Sequence, residues 1–289
     1  MKIIVDLAGG FGNQLFCYCF GYALARKKSA QLIIDTSTQD NGLTRHLELL
    51  NLNVSFDQQI SYLYKRQFID RAVLNKVRKR ISIGLSTRIY KEKYPTVYEE
   101  AVLRTHQDTY FKGNWQTEKY FVEYRSDLLK MLTSKQDRSD SVKRLYGEMK
   151  CCHSVAVHIR RGDYLEIGCQ LNMEYYQKAI CKMRKILKKN DLVFYIFSDD
   201  IAFCKDYFQR TEVFNDTDKV RYPEYDSDDF TLDDMLLMSN CRHMIMANSS
   251  YSWWAAWLNQ NEGKTVICPE LGMWSGDFYP EEWIKIKCD

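Results

Sequence analysis

The sequence predicts an α/β protein in which helices cover parallel sheets, and three observations carry that prediction. The N-terminus alternates a strand-length apolar run, a glycine turn, a helical stretch and a second apolar run. In the second half, three apolar runs each stop at a polar cluster and are separated by helical segments, the pattern of strands buried on both faces. Gly is scarce at 13 residues and Pro at 4 among 289, which disfavours a turn-dense all-β sandwich. That length allows two medium domains, each able to bury a core.

Residues 2–7 (KIIVDL) read as the first strand, and Gly9, Gly10 and Gly12 in the turn after it admit positive φ angles. The apolar stretch 15–25 is about half a membrane span. It ends at Arg26, Lys27 and Lys28, charges that suit the negative end of a helix, so it predicts a buried helix. Residues 31–35 (QLIID) close a β–α–β unit whose crossover permits parallel pairing.

Residues 65–93 hold ten Lys or Arg against Asp70 and Glu92, with Phe68, Ile69, Val73, Leu74, Val77 and Ile81 at helical spacing. They predict a basic amphipathic helix. Its cationic face is either an ordinary solvated surface over a core stripe or a peripheral contact with anionic membrane lipid; a nucleic-acid contact is the third reading. Residues 108–113 return as a strand, and 115–118 lead into an amphipathic helix carrying Tyr120, Phe121 and Leu128. The polar stretch 134–141 is the best linker, and the domain boundary is placed near 150, giving domains 1–150 and 151–289.

In the second half, the run 154–159 ends in Arg160, Arg161, Gly162, Asp163 and Tyr164; 192–197 ends in Ser198, Asp199 and Asp200; and 243–247 ends in Asn248, Ser249 and Ser250. Helical segments at 175–188, 203–208 and 231–238 separate them. Parallel sheets bind ligands beyond the carboxyl ends of their strands, so the three clusters are expected in one crevice. Arg160 and Arg161 offer permanent forked donors for phosphate. Ser249 and Ser250 precede a helix (253–258) whose N-terminal amides favour an anion. Asp199, Asp200 and Asp234 suit the donors of a purine edge or ribose hydroxyls. A nucleoside diphosphate satisfies both sets, while His158 alone reads as a core histidine.

Other classes fit poorly. A net charge of +3, from 41 Lys and Arg against 38 Asp and Glu, is too balanced for a nucleic-acid binder by bulk charge. The ten cysteines contain no C-x-x-C pair, so no zinc framework exists and they read as reduced, mostly buried thiols. Gly10 to Leu15 lacks the third glycine of a dinucleotide fingerprint and no Walker lysine follows. Asp226, Ser227 and Asp228 sit in an acidic run without a preceding strand and read as a solvated loop rather than a metal motif. With no leader or membrane span visible, a cytoplasmic location is expected.

Residues 157–164 (VHIRRGDY), 234–239 (DMLLMS) leading to 247–258 (ANSSYSWWAAWL), and 9–16 (GGFGNQLF) resemble bacterial α-1,2-fucosyltransferases. Residues 110–113 (YFKG) with Gln116, Tyr120 and Phe121, and 167–171 (IGCQL), are similar to that family too. The resemblance implies a GT-B-like architecture, two Rossmann-type domains facing each other across a cleft. GDP-fucose would sit on the C-terminal domain and a β-galactoside acceptor on the N-terminal one, with inverting transfer that needs no metal or other cofactor. Arg160 and Arg161 would neutralise the diphosphate, His158 would support their loop, and Ser249 and Ser250 would bind phosphate beside Asn248 and Tyr251. Asp199 and Asp200 belong to the same nucleotide-sugar site, and Asp234 would face guanine. Gly12, Asn13, Gln14 and Gln116 would complete the acceptor side. Asp163 is either the base that takes the acceptor proton or a scaffold for the arginines, with Glu166 as its rival. Peripheral contact at the inner face of the bacterial membrane remains an expectation for 65–93. A transferase using another sugar nucleotide, and a non-catalytic nucleotide- or glycan-binding module, are the alternatives.

Overall fold

A computed structural model of the chain describes residues 1–37, 46–61, 80–81, 83–274 and 276–288. The chain folds as two compact units, Met1–Lys135 with Gly276–Phe278, and Gln136–Ser275 with Tyr279–Asp289. The division falls inside the polar 134–141 stretch and short of residue 150. The helix at Asp140–Lys150 buries Val142, Leu145 and Met149 within the second unit.

The first unit contains β1 (Lys2–Asp6), α1 (Phe11–Lys28), β2 (Gln31–Asp35), β3 (Gln58–Ile60), β4 (Arg88–Lys91) and β5 (Thr109–Lys112). They form a five-stranded sheet in the order β3-β2-β1-β5-β4, with every pairing parallel. α1 buries almost every residue from Phe11 to Ala25, as expected of a helix that is apolar all round. Its last turn carries Arg26, Lys27 and Lys28, the charges that complement a helix C-terminus.

Two expectations for this unit need correction. The helix over 115–128 is mostly absent: Glu118–Tyr120 and Val122–Tyr124 are 3₁₀ turns, and only α2 (Arg125–Met131) is α-helical. Phe121 leaves helical geometry at φ −137°, ψ 0° and packs its ring 6.1 Å from that of Phe16, so tertiary burial overrides the helical spacing. For the basic helix over 65–93, residues 65–79 and 82 lie outside the described residues. Its last part is strand, because Ile89 and Tyr90 pair with Tyr110 and Phe111 of β5.

The second unit contains α3 (Asp140–Lys150), β6 (His153–Ile159), α4 (Gly162–Glu166), α5 (Met173–Leu187), β7 (Leu192–Ser198), α6 (Ile201–Gln209), β8 (Lys219–Arg221), α7 (Phe230–Asn240), β9 (His243–Ile245), α8 (Ser250–Leu258), β10 (Val266–Glu270) and β11 (Ile284–Lys287). Its six-stranded sheet runs β11-β10-β9-β6-β7-β8, again parallel throughout. Asn172, Asp200, Asp229 and Ser249 cap α5, α6, α7 and α8, each side chain accepting a backbone N–H of the first turn. β6 lies between β9 and β7, with Ile159 in register with Ser198 and Val157 with Ile245. The polar residues that follow these three strands are therefore brought to one end of the sheet.

All ten cysteines are free thiols; Cys17, Cys19, Cys204, Cys241 and Cys268 are buried, whereas Cys151 and Cys181 are exposed. The thiols are thus less uniformly buried than expected. Among the described residues no helix is long and apolar enough to cross a membrane.

Candidate active site

The carboxyl ends of β6 and β7 hold both arginines in a lattice of carboxylates. Arg160 Nη2 donates to Asp163 Oδ1 at 2.7 Å, and its Nη1 lies 2.7 Å from Asp199 Oδ2. Asp199 Oδ1 also accepts the backbone N–H groups of Arg161 and Gly162 at 2.8 and 3.1 Å. A Cβ at Gly162 would stand 2.8 Å from Asp199 Oδ2, so any larger residue there would push the Asp199 carboxylate out of its place between the two arginines. Arg161 Nε donates to Asp200 Oδ2 at 3.0 Å, and its guanidinium lies 3.3 Å from the Phe203 ring centroid, a cation–π contact. Asp200 also accepts from Phe203 N as the cap of α6. The hydrogen bond from Arg161, then that from Phe203 N, holds its carboxyl below the ordinary range. The terminal nitrogens of Arg161 have no hydrogen-bond partner among the described residues, which leaves a flat two-nitrogen edge for an oxyanion.

The turn from β9 into α8 is tied to the same end of β6. His158 is 5% exposed, and its Nδ1 lies 2.8 Å from Ser252 Oγ, which accepts Ala247 N at 3.0 Å. With that N–H received, the Ser252 proton is available for Nδ1. Burial, then the charge of Arg160, lowers His158 to about 4, so the imidazole is neutral at pH 7. Tyr164 donates to the Asn248 carbonyl at 3.2 Å, and Asn248 Nδ2 donates to the Cys169 carbonyl at 2.8 Å. Asn248 Oδ1 is buried without a partner among the described residues. Ser249 caps α8, whose first turn contains no acidic residue; its N-terminal amides keep their affinity for an anion. The Tyr251 hydroxyl donates to the Thr231 carbonyl and so fastens α8 to α7.

On α7, Asp234 accepts the Tyr225 hydroxyl. Burial raises its carboxyl to about 6, with a further push from Asp233 and against the Tyr225 hydrogen bond. Asp233 itself is paired with Arg138 at 2.9 Å. The Asp226 to Asp228 loop is internally fastened, with Ser227 donating to Asp233 and Ser139 Oγ donating to the Asp226 carbonyl at 2.7 Å.

In the first unit, Gln116 Nε2 donates to Asn13 Oδ1 at 3.0 Å. Gln14 is fully buried; its amide donates to the Gly9 and His46 carbonyls and accepts Leu49 N. Its side chain therefore holds the loop instead of facing a ligand. Gly12 is buried in the first turn of α1.

Two acidic supports of the first unit escape sequence reasoning. The Glu92 carboxylate accepts Asn114 N at 2.7 Å and Trp115 N at 2.9 Å. Trp115 adopts φ +54°, uncommon for a bulky residue, and its ring stacks on Phe20 at 4.1 Å and 6°. Glu92 and Phe20 together hold the strained turn that aims Gln116 at Asn13. Asp6 and Asp35, in register at the ends of β1 and β2, are both buried, and Tyr110 donates to Asp35 at 2.8 Å. Their only signal was an acid closing each apolar run.

A family model described as Glycosyl transferase family 11 matches residues 3–287. The Alpha-1,2-colitosyltransferase of Escherichia coli is 35% identical over 303 residues, covering 99% of each chain. The O-antigen biosynthesis glycosyltransferase WbnK of Escherichia coli is 28% identical over 290 residues, 91% of this chain and 92% of that one. The crystal structure of NodZ alpha-1,6-fucosyltransferase soaked with GDP-fucose is similar with a TM-score of 0.51 at 14% identity, over 89% of this chain and 93% of that chain. That likeness is one of fold, and the fold is GT-B, as the motifs implied.

Proposed function

The chain belongs to glycosyl transferase family 11, and from that premise we propose that it is a galactoside α-1,2-fucosyltransferase. It carries fucose from GDP-fucose to the 2-hydroxyl of a terminal β-galactose, with inversion and without a metal. The observation that carries this reading is the pair Arg160 and Arg161, pinned at the end of β6 by Asp163, Asp199 and Asp200.

In the proposed reaction the acceptor 2-oxygen forms a bond to the fucose anomeric carbon on the face opposite GDP. The bond from that carbon to the β-phosphate oxygen breaks, its electron pair stays on the phosphate, and the acceptor proton passes to water or a carboxylate. Charge develops on the departing diphosphate, where forked cationic donors placed in advance lower the barrier. Arg161 meets it with its free edge, and Arg160, Ser249, Ser250 and the amides of α8 surround it. Asn248 and Tyr251 shape that turn, His158 braces it through Ser252, and Asp234 accepts from guanine. Asn13 and Gln116 bind the acceptor.

The ion pair at 2.7 Å between Asp163 and Arg160 favours the scaffold role for Asp163, since an arginine-paired carboxylate is a poor base. Transfer then leans on stabilisation of the leaving group.

The 35% identity with a colitosyltransferase favours a second reading, in which the sugar is colitose, a fucose lacking its 3-hydroxyl. A site that hydrogen-bonds that hydroxyl rejects the sugar lacking it, whereas an apolar site discriminates weakly. Incubation with GDP-fucose or GDP-colitose and a panel of lactose, N-acetyllactosamine and type 1 disaccharide, with linkage analysis, decides between them. Preferred use of GDP-fucose with an α-1,2 product supports the first reading; preferred use of GDP-colitose establishes the second. Binding without turnover on any acceptor contradicts both.

A further inference from the structure

The segment 80–97 of the first unit is unusual in what it leaves exposed. Ile81 at 62%, Leu85 at 72%, Ile89 at 50%, Tyr94 at 65% and Val97 at 38% are five of the eleven exposed large apolar side chains among the described residues. The same segment carries Arg80, Arg88, Lys91 and Lys93, with Glu92 as its only acid. The Glu92 carboxylate is turned inward onto Asn114 N and Trp115 N. Arg88, Lys91 and Lys93 form no ion pair among the described residues. Glu99, the next acid, is occupied by the Tyr90 hydroxyl and Lys93 N.

The local geometry keeps these side chains outward. Arg80 donates to the Leu85 and Thr87 carbonyls at 2.7 Å each, and Gly84 turns the chain at φ +94°, so Leu85 rides the tip of a braced loop. β4 follows as the edge strand of its sheet. It buries Tyr90 and exposes Ile89 and Lys91.

We propose that residues 80–81 and 83–97 are a docking surface for an anionic lipid bilayer. Ile81, Leu85 and Ile89 enter the boundary between head groups and acyl chains. Tyr94 sits at head-group level, and Lys91 and Lys93, which alternate onto the same side as Ile89, meet the phosphates. A second copy of this face would bring cations against cations. Among the exposed apolar side chains described in this segment Tyr94 alone is aromatic, one ring where single-stranded nucleic acid stacks successive bases on several. A bilayer answers both the apolar and the cationic side chains, and the inference stands apart from the choice of sugar and acceptor.

Co-sedimentation of the full chain with vesicles of phosphatidylcholine, with and without phosphatidylglycerol, tests it. Binding is expected with the anionic vesicles, weaker at high salt but not abolished, because the apolar contact is not screened. Lys91→Ala/Lys93→Ala is expected to lower partitioning roughly 25-fold, at about fivefold per cation. Leu85→Asp is expected to lower it about tenfold or more. Thermal melts and transfer to a soluble acceptor, both unchanged in these variants, show that the fold and the active site are intact. No binding to anionic vesicles, equal binding to neutral ones, or a dimer that Leu85→Asp dissolves while the chain ignores lipid would each overturn the proposal.

Discussion

Arg160 and Asp199 meet at 2.7 Å just beyond the ends of two neighbouring strands, one residue past the register pair Ile159 and Ser198. Asp199 uses its other oxygen on the backbone of Arg161 and Gly162, so one carboxylate sets both the side chain and the loop. Asp199→Asn keeps the shape but removes the charge, and kcat is expected to fall about tenfold or more. Gly162→Ala forces a Cβ to 2.8 Å from Asp199 Oδ2 and is expected to cost a similar factor with little change in Tm. Steady-state kinetics check both, and unchanged kcat in both variants would separate the pair from turnover.

Asp234 has its carboxyl raised to about 6, chiefly by burial. Protonation weakens it as an acceptor for guanine N–H groups, so the KM for the GDP-sugar is expected to rise as the pH falls through about 6, with kcat less affected. Asp234→Asn is expected to raise that KM about tenfold to a hundredfold, the worth of a charged hydrogen bond, and to flatten its pH dependence. A KM profile that is flat in the wild type contradicts the assignment.

Burial holds His158 at about 4, against about 6.5 for an ordinary imidazole, so between those values the unfolded chain binds more protons. Its contribution to stability is complete above about pH 6.5 and is lost as the pH falls toward 4. His243, also lowered to about 4, chiefly by burial, acts with the same sign. Urea unfolding across this range should show stability falling with pH in the wild type and a shallower fall in His158→Gln. Identical slopes in the two proteins would show that His158 does not carry this pH dependence.

Glu92 holds two backbone N–H groups of the turn that carries Gln116. Glu92→Ala leaves both without their acceptor and is expected to cost about 2 kcal/mol or more of stability. It is also expected to raise the acceptor KM while sparing the donor KM. Calorimetry and kinetics check the two effects, and a donor KM that moves with the acceptor KM would show a general loss of fold.

The ends of β6, β7 and β9 were legible in the sequence because each apolar run stops abruptly at charge, and parallel topology then brings those stops together. Arg160, Arg161, Asp199 and Asp200 follow from that pattern. Glu92 was hidden, since it stands in a basic run and its partners lie 22 and 23 residues away, a distance no local pattern spans. Phe121 misled in the opposite sense, because helical spacing cannot register that its ring is needed against Phe16. β3 and β8, at three residues each, are too short to carry a period. Gln14 matched a motif, but only the fold shows that its amide is spent on the chain's own loop.

In the proposed function Arg160 and Arg161 stabilise the departing diphosphate in place of a metal. The most direct measurement is the initial rate of transfer from the GDP-sugar to a galactoside, for the wild type and Arg160→Ala, with and without EDTA. A full wild-type rate in EDTA and a loss on the order of 10²-fold or more in Arg160→Ala are expected. A wild-type rate that collapses in EDTA and returns with added magnesium, or near-normal turnover in Arg160→Ala, would contradict it.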